Sequence, residues 1–155
     1  MIQRALAIYE KSYGPEHPTV AIRLNNLALL LKATNRPEEA EPMMRRALAI
    51  DEKSYEPENP NVARDLNNLA RLLQDTNRPE EAEPLMRRAL IGFLKFTRST
   101  GHPHQHLKIA LGHYQGILKA MSLSEEEIAR RVGEVGKEAG LDGQSCHALV
   151  VELSK

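Results

Sequence analysis

Residues Arg4-Ala5-Leu6-Ala7-Ile8 return 42 positions later as Arg46-Ala47-Leu48-Ala49-Ile50, and the stretches 4–45 and 46–87 differ at only ten of their 42 positions. A self-similar period of this length is what a stacked array of supersecondary units leaves in a sequence, so the chain is constrained to a repeat architecture before any element is assigned. A third copy opens at Arg88-Ala89-Leu90 and then wears away. His17-Pro18 returns as His102-Pro103, and Leu30-Leu31-Lys32-Ala33 returns as Ile117-Leu118-Lys119-Ala120, shifted by three residues beyond two full periods. An atypical last unit suits an array whose outer face meets water instead of a neighbour.

Each unit reads as two helices. Pro18 and Pro60 open the first, where the fixed φ of proline suits an N-terminal position. Val20, Leu24, Leu27, Leu30 and Leu31 follow at helical spacing and form the expected packing face. Thr34-Asn35-Arg36-Pro37 interrupts it, because the residue before a proline is pushed out of the α region. The second helix runs from Pro37-Glu38-Glu39, acids that suit the helix N-terminus, to about Tyr55. Its apolar face is Ala40, Met44, Ala47, Leu48 and Tyr55. Pro42 and Pro84 lie inside this helix in the two copies and predict a local bend.

Neither helix can bury its face alone, so the pairs must stack into a curved solenoid whose concave groove is lined by the first helices. The expected layout is an array over 1–138, with a half unit at 1–17, units at 18–59 and 60–101 and a degenerate unit at 102–138. Ser124-Glu125-Glu126-Glu127 reads as the cap and first turn of a helix reaching about Lys137. Gly140-Leu141-Asp142-Gly143 reads as a turn, and 139–155 as a C-terminal capping helix or tail carrying Leu149 and Leu153 at i, i+4. The half unit lacks a preceding first helix, so the face of Ile2, Leu6 and Tyr9 is expected to be partly uncovered, as in a fragment of a longer array.

Composition narrows the function. Lys and Arg number 21 and Asp and Glu number 21, so the polyelectrolyte attraction that drives nucleic-acid binding is missing. Aromatic residues are 4% of the chain, so the core must come from Leu, Ile, Val, Met and Ala. The single Cys146 rules out an internal disulfide and a cysteine-rich zinc site. With no bilayer-length apolar run and no signal-peptide stretch, the expectation is a soluble cytoplasmic protein that engages neither nucleic acid nor membrane.

The pattern Leu24-Asn25-Asn26-Leu27-Ala28, then Asn35-Arg36-Pro37-Glu38-Glu39-Ala40-Glu41-Pro42, then Arg46-Ala47-Leu48-Ala49-Ile50, together with Glu16-His17-Pro18, resembles the 42-residue tetratricopeptide (TPR) repeat of kinesin light chains. Similar arrays form the C-terminal sensor arms of nephrocystin-like and bacterial STAND-type ATPases. The resemblance covers roughly residues 1–130. It implies an all-α fold, a right-handed α-solenoid of antiparallel helix pairs, and a role in holding protein partners.

The two near-identical copies act as an internal control on where a partner would bind. Their first helices differ at Ile22/Arg64, Arg23/Asp65, Leu29/Arg71, Lys32/Gln74 and Ala33/Asp75. At about 100° per residue, positions 22, 29 and 33 fall within about 20° of one line, with Asn26 about 40° away. The packing face was kept and one stripe changed. In a TPR solenoid that stripe corresponds to the concave surface. It reads Ile22, Asn26, Leu29, Ala33 in the first unit, Arg64, Asn68, Arg71, Asp75 in the second and Ile109, His113, Gly116, Ala120 in the third. The groove is expected to run apolar, basic, apolar. The resemblance matches Asn26 and Asn68 to an asparagine that binds peptide backbone or a carboxylate in related grooves, a task suited to an amide that donates and accepts without charge. Asn25 and Asn67 either assist or bond across helices. Asn68→Ala with Arg64→Ala is expected to weaken partner binding with little change in helicity or melting temperature, and Asp75 stands four residues after Arg71, where it can neutralise it. On the second helix, kinesin light chains often carry a cargo-facing basic residue where this chain has Tyr9 and Asp51, so light-chain-like binding of tryptophan-acidic peptides is not expected.

Other clusters carry no chemistry. His102, His104 and His106 alternate where a loop enters a helix with no nearby acid or thiol to complete a metal site. Cys146-His147 are adjacent helical residues that point about 100° apart. No phosphate loop or hydrolase motif occurs. The chain is expected to be a non-catalytic interaction scaffold without cofactor or metal, binding a protein or peptide in its groove. The alternatives are a regulatory arm of a STAND-type signalling ATPase, or an array that self-associates end to end through the N-terminal half unit.

Overall fold

The computed structural model describes the backbone of residues 2–153 and the side chains of 3–148 and Val151. The side chains of Ile2, Leu149 and Leu153 therefore lie outside the described residues. The described residues form eight helices and no strand: α1 Ile2–Tyr13, α2 Pro18–Ala33, α3 Pro37–Ser54, α4 Pro60–Asp75, α5 Pro79–Thr100, α6 Leu107–Ala120, α7 Glu125–Glu138 and α8 Gly143–Leu153. This is an all-α repeat fold. Two compact units divide the chain, 1–57 holding α1 to α3 and 58–155 holding α4 to α8.

The repeated sequence produces repeated local structure. Pro18 and Pro60 stand in the first turn of α2 and α4. Each of these helices stops at a threonine whose Oγ1 donates to carbonyls of its last turn, Thr34 to Leu30 O and Leu31 O, and Thr76 to Leu72 O and Leu73 O. The next residue swings into the left-handed region, Asn35 at φ 60° and Asn77 at φ 62°, which asparagine tolerates better than most side chains. Arg36 then grips Glu39 through Nε and Nη2, both at 2.7 Å, and Arg78 grips Glu81 in the same way. In the worn third copy Ser122, at φ 60°, takes the place of Asn35.

Within the first unit, Val20, Ala21 and Leu24 of α2 meet Ala47 and Ile50 of α3, and Leu6, Tyr9 and Met43 pack on this cluster while remaining partly exposed. Among the described residues, the large apolar side chains that α1 leaves exposed are Ile8 and Tyr13. Met44, Ala40, Ala47 and Leu48 are buried on α3 as the apolar periodicity predicts. The helix assignments run unbroken through Pro42 and Pro84. Leu30 departs from its expected place in the packing face. It is 46% exposed, whereas its equivalent Leu72 is 1% exposed, so one register position of the repeat is surface in one copy and core in the other.

In the second unit α5 packs on α4, α6 and α7. Its 22 residues exceed the 18 of α3 because the pattern changes where α3 ends. Pro57 stops the helical path after α3. Ser99 stands at the equivalent position of the next copy, and α5 continues to a left-handed stop at Gly101, φ 72°. Residues 102–106 form the connection that follows, and α6 begins at Leu107. Tyr114 of α6 is fully buried and donates its hydroxyl to Glu83 Oε1 of α5 at 2.9 Å. Burial, followed by the neighbouring Glu83 charge, pushes the phenol well above its ordinary range. Arg131 of α7 meets the same Glu83 oxygen at 3.4 Å, so three helices share one polar point. Ser124 caps α7 by accepting Glu127 N–H at 3.2 Å. Hydrogen bonds from Arg130, then Arg131, pull the Glu127 carboxyl down to about 2.

The unequal burial of one register position gives a direct test. Leu72→Ala should destabilise the chain by about 2–5 kcal/mol and Leu30→Ala by less than about 1 kcal/mol, read as denaturation midpoints by circular dichroism. Equal costs for the two variants would contradict the packing described.

Candidate functional site

The stripe that differs between the copies lies on the open side of each first helix. On α2, Ile22, Asn26, Leu29 and Ala33 are all exposed. Two of these are large apolar side chains held in water, which costs free energy unless something covers them. On α4, Arg71 and Asp75 are exposed and Arg64 and Asn68 are half-buried. On α6, Ile109 is more than half exposed, with His113 and Gly116 half-buried and Ala120 exposed. The stripes are surfaces because the opposite faces of these helices, Val20, Leu24 and Leu27 on α2 and Val62, Leu66 and Leu69 on α4, are buried.

The second unit changes how the basic residues read. Arg64 donates through Nε and Nη2 to Asp65 Oδ1, at 3.1 and 3.0 Å. Asp65 is 0% exposed, so Arg64 neutralises a buried carboxylate and is not a replaceable surface cation. The expectation that Arg64 could be truncated without affecting stability is therefore revised. The pairing joins adjacent residues, a spacing that the usual i, i+4 rule does not flag. Arg71 is exposed and carries no ion pair among the described residues. The position of Asp65 in the repeat is filled by Arg23 in the first copy, where the guanidinium lies 4.4 Å from the Tyr9 ring centroid and its Nη2 donates to the Tyr9 hydroxyl at 2.9 Å. One register position thus takes a different partner in each copy.

The four asparagines separate into two classes. Asn25 and Asn67 are buried. Asn67 Oδ1 accepts from His113 Nδ1–H at 3.2 Å, a bond between α4 and α6. Its acceptor character sets the proton on Nδ1 of His113. Asn26 is exposed and Asn68 half-exposed, so these two amides are the ones within reach of a ligand. Gln74 Nε2 lies 3.3 Å from where a Cβ on Gly116 would stand, so the missing side chain lets the Gln74 amide lie against α6. Nothing in the repeat spacing marks that contact, because Gly116 belongs to the worn copy. On the second helices, Asp51 is buried and Tyr9 is engaged with Arg23, so neither is a free cargo-facing group.

The remaining reactive residues do not assemble into a centre. Cys146 is buried where α8 crosses Gly136, and His147 is exposed. His104 Nδ1 is occupied by the His106 N–H. Among the described residues no group of three His, Cys, Asp or Glu is placed to hold a metal, and no helix is long and apolar enough to cross a membrane.

Arg64→Ala is expected to lower the unfolding free energy by roughly 2 kcal/mol, because it strips a partner from a buried carboxylate. Arg71→Ala should change it by less than about 0.5 kcal/mol. Urea titrations of the two variants separate the cases, and equal midpoints would show that the Arg64 pair contributes nothing.

Comparison with known proteins agrees with this geometry. The profile of the tetratricopeptide repeat family matches residues 1–53 and 38–90. The crystal structure of BtubC (BKLC) from P. vanneervenii is similar at a TM-score of 0.70 and 23% identity, covering 90% of this chain and 54% of that one. The chain thus spans about half the length of that relative. A crystal structure from Podosopora anserina, described as a putative kinesin light chain with nearly identical TPR-like repeats, is similar at a TM-score of 0.70 and 19% identity, with 99% of this chain and 82% of that one covered. A singly substituted form of the same Podosopora anserina protein gives a TM-score of 0.70 at 18% identity, with the same coverage of 99% and 82%. At these identities the likeness concerns the fold. The comparison with curated proteins gave no match. TPR repeats are generally protein-interaction modules, and the profile spans more than half of the residues: the chain belongs to the tetratricopeptide repeat family.

Proposed function

We propose that the chain is a non-catalytic interaction module that holds an extended or helical segment of a partner protein against the open faces of its first helices. The observation that carries this reading is the pattern of divergence between two otherwise near-identical copies. Positions 22/64, 29/71 and 33/75 changed from Ile, Leu and Ala to Arg, Arg and Asp, while the positions buried in both helices, Val20, Ala21, Leu24, Asn25, Leu27, Ala28 and Leu31 with their equivalents on α4, kept their residues. At 22/64 the change is matched by the Arg64–Asp65 pair, whereas the exposed change from Leu29 to Arg71 has no such structural reason.

Each face supplies a different element of recognition. Ile22 and Leu29 on α2 offer apolar contact beside the Asn26 amide. Asn68 and Arg71 on α4 offer a donor–acceptor pair and a cation, and Ile109 on α6 offers apolar contact again. A backbone strand or an exposed helix terminus satisfies the amides, and an acidic side chain satisfies Arg71. The uncovered Ile22, Leu29 and Ile109 supply the hydrophobic gain that a short peptide needs for measurable affinity.

A peptide library applied to the full chain identifies the segment. For a peptide found in that way, Asn68→Ala with Arg71→Ala should weaken binding by at least about tenfold, the loss of one charge-assisted and one neutral hydrogen bond. Helicity and the denaturation midpoint should remain close to those of the parent chain. Unchanged affinity in this double variant and in Ile22→Ser with Leu29→Ser would refute binding at these faces.

A further inference from the structure

We infer, on the reading that the open faces hold a partner, that the segment seated on α2 is an amphipathic helix with acidic flanks, packed along the line Ile22, Asn26, Leu29 and Ala33. These residues follow one another at steps of four, three and four, the spacing at which one helix presents a seam to another in a coiled coil. α2 carries that spacing twice. Val20, Leu24, Leu27 and Leu31 form the second line, at 0, 2, 5 and 6% exposure. It lies two residues, about 200°, around the axis from the first. Val20 and Leu24 of this buried line meet Ala47 and Ile50 of α3, so the chain itself uses the spacing to pack helix on helix.

The open line is apolar where a solvent-facing helix surface is ordinarily polar. Ile22 and Leu29 are 42% and 39% exposed, and Leu30 beside them is 46% exposed. The same register on α4 reads Arg64, Asn68, Arg71 and Asp75, and on α6 only Ile109 is large and apolar, so the complete seam is confined to α2. A helix that is apolar on opposite sides is one that packs on both. The seam runs about 16 Å along the axis, with its residues about 5–6 Å apart. A strand presents one face at steps of about 7 Å and drifts out of step with such a line, whereas a second helix keeps pace with it.

Charge selects the flanks of the partner. Arg23 and Lys32 are the charged residues of α2, which contains no acid, and they stand beside the seam near its two ends. Arg23 is fixed there by the Tyr9 ring, 4.4 Å from its centroid, and by the Tyr9 hydroxyl at 2.9 Å. In a helix pair the residues flanking the seam choose the partner by charge, so glutamates are attracted to this face and lysines repelled from it. Asn26 is the polar member of the seam. An amide in that place is satisfied by a polar residue on the facing helix and fixes the register of the pair.

The probe is a synthetic peptide of about three heptads with Leu along its seam, one central Asn and Glu on both flanks, whose mutual repulsion keeps it from pairing with itself. Titrated against the full chain, it should bind and gain helicity in difference circular dichroism. Replacing its flanking Glu by Lys, or placing Pro in its middle heptad, should weaken binding at least about tenfold, and so should Ile22→Ser with Leu29→Ser in the chain. With Asn26→Leu in the chain and Leu for Asn in the peptide, the two matched pairs should bind better than the two mixed ones. Equal binding of the Pro or Lys peptide, or additive effects in the Asn cycle, would overturn the inference. A library segment that binds the chain where the Glu peptide does not would overturn it too, while leaving interaction through the open faces standing. If neither a library segment nor the Glu peptide binds, both readings fall.

Discussion

Sixteen-residue α2 and eighteen-residue α3 each carry one apolar face, and neither can hide it except against the other. That mutual burial is the interaction on which the rest of the molecule depends. It is achieved at close range because the contact surfaces are rich in alanine: Ala21 and Ala28 on α2, Ala40 and Ala47 on α3, all fully buried, with Leu24 and Met44 filling the space between. The same arrangement recurs with Ala63, Ala70, Ala82 and Ala89 around Leu66 and Met86. A chain with two Phe and no Trp cannot span a wide core, so small side chains and short separations are its way of reaching protein-like packing density.

The connections follow from that packing. A threonine that closes the helix end, an asparagine in the left-handed region and an Arg–Glu fork on the next first turn reverse the chain within three residues. Where Pro57 gives way to Ser99, α5 runs a turn further than α3, and the connection that follows contains His104 and His106. The third copy therefore keeps the helix pair while acquiring its own polar junction at Glu83, Tyr114 and Arg131. The worn copy departs most from the repeat, adding the contacts of His104 with Phe93 and Phe96 and the junction of Glu83, Tyr114 and Arg131.

Because the packing face is fixed by the repeat, the opposite face is free to vary, and this separation is what makes the fold suited to recognition. A substitution such as Leu29 to Arg71 leaves the buried set untouched and changes only what a partner meets. The separation is incomplete at the margins of the stripe. Arg64 looks like a groove residue by angle alone, yet its guanidinium is committed to Asp65, and Asn67 looks like a neighbour of Asn68 yet is tied to His113. Residues at the edge of the open face are shared between holding the structure and presenting it.

The sequence by itself determined the period, the helix pairs, their start and stop signals and the side of each helix that packs, because these depend on local propensity and on spacing that repeats without change. It also marked Ile22, Asn26, Leu29, Asn68 and Arg71 as surface, since helical angle decides which residues share a line. Tertiary structure alone decided what each surface residue touches. Leu30 and Leu72 are identical in type and register and differ in exposure, because burial depends on what lies across from a residue and not on its place in the repeat. The Arg64–Asp65 pair, the Asn67–His113 bond and the Tyr9–Arg23 contact depend on rotamers and on neighbours supplied by other helices or by an adjacent residue, which spacing rules do not encode. The cap that His17 gives α2 lies between the two cases: a helix start before Pro18 is legible, but the choice of Nδ1 as acceptor appears only once the backbone brings Thr19 N–H within 3.2 Å of it.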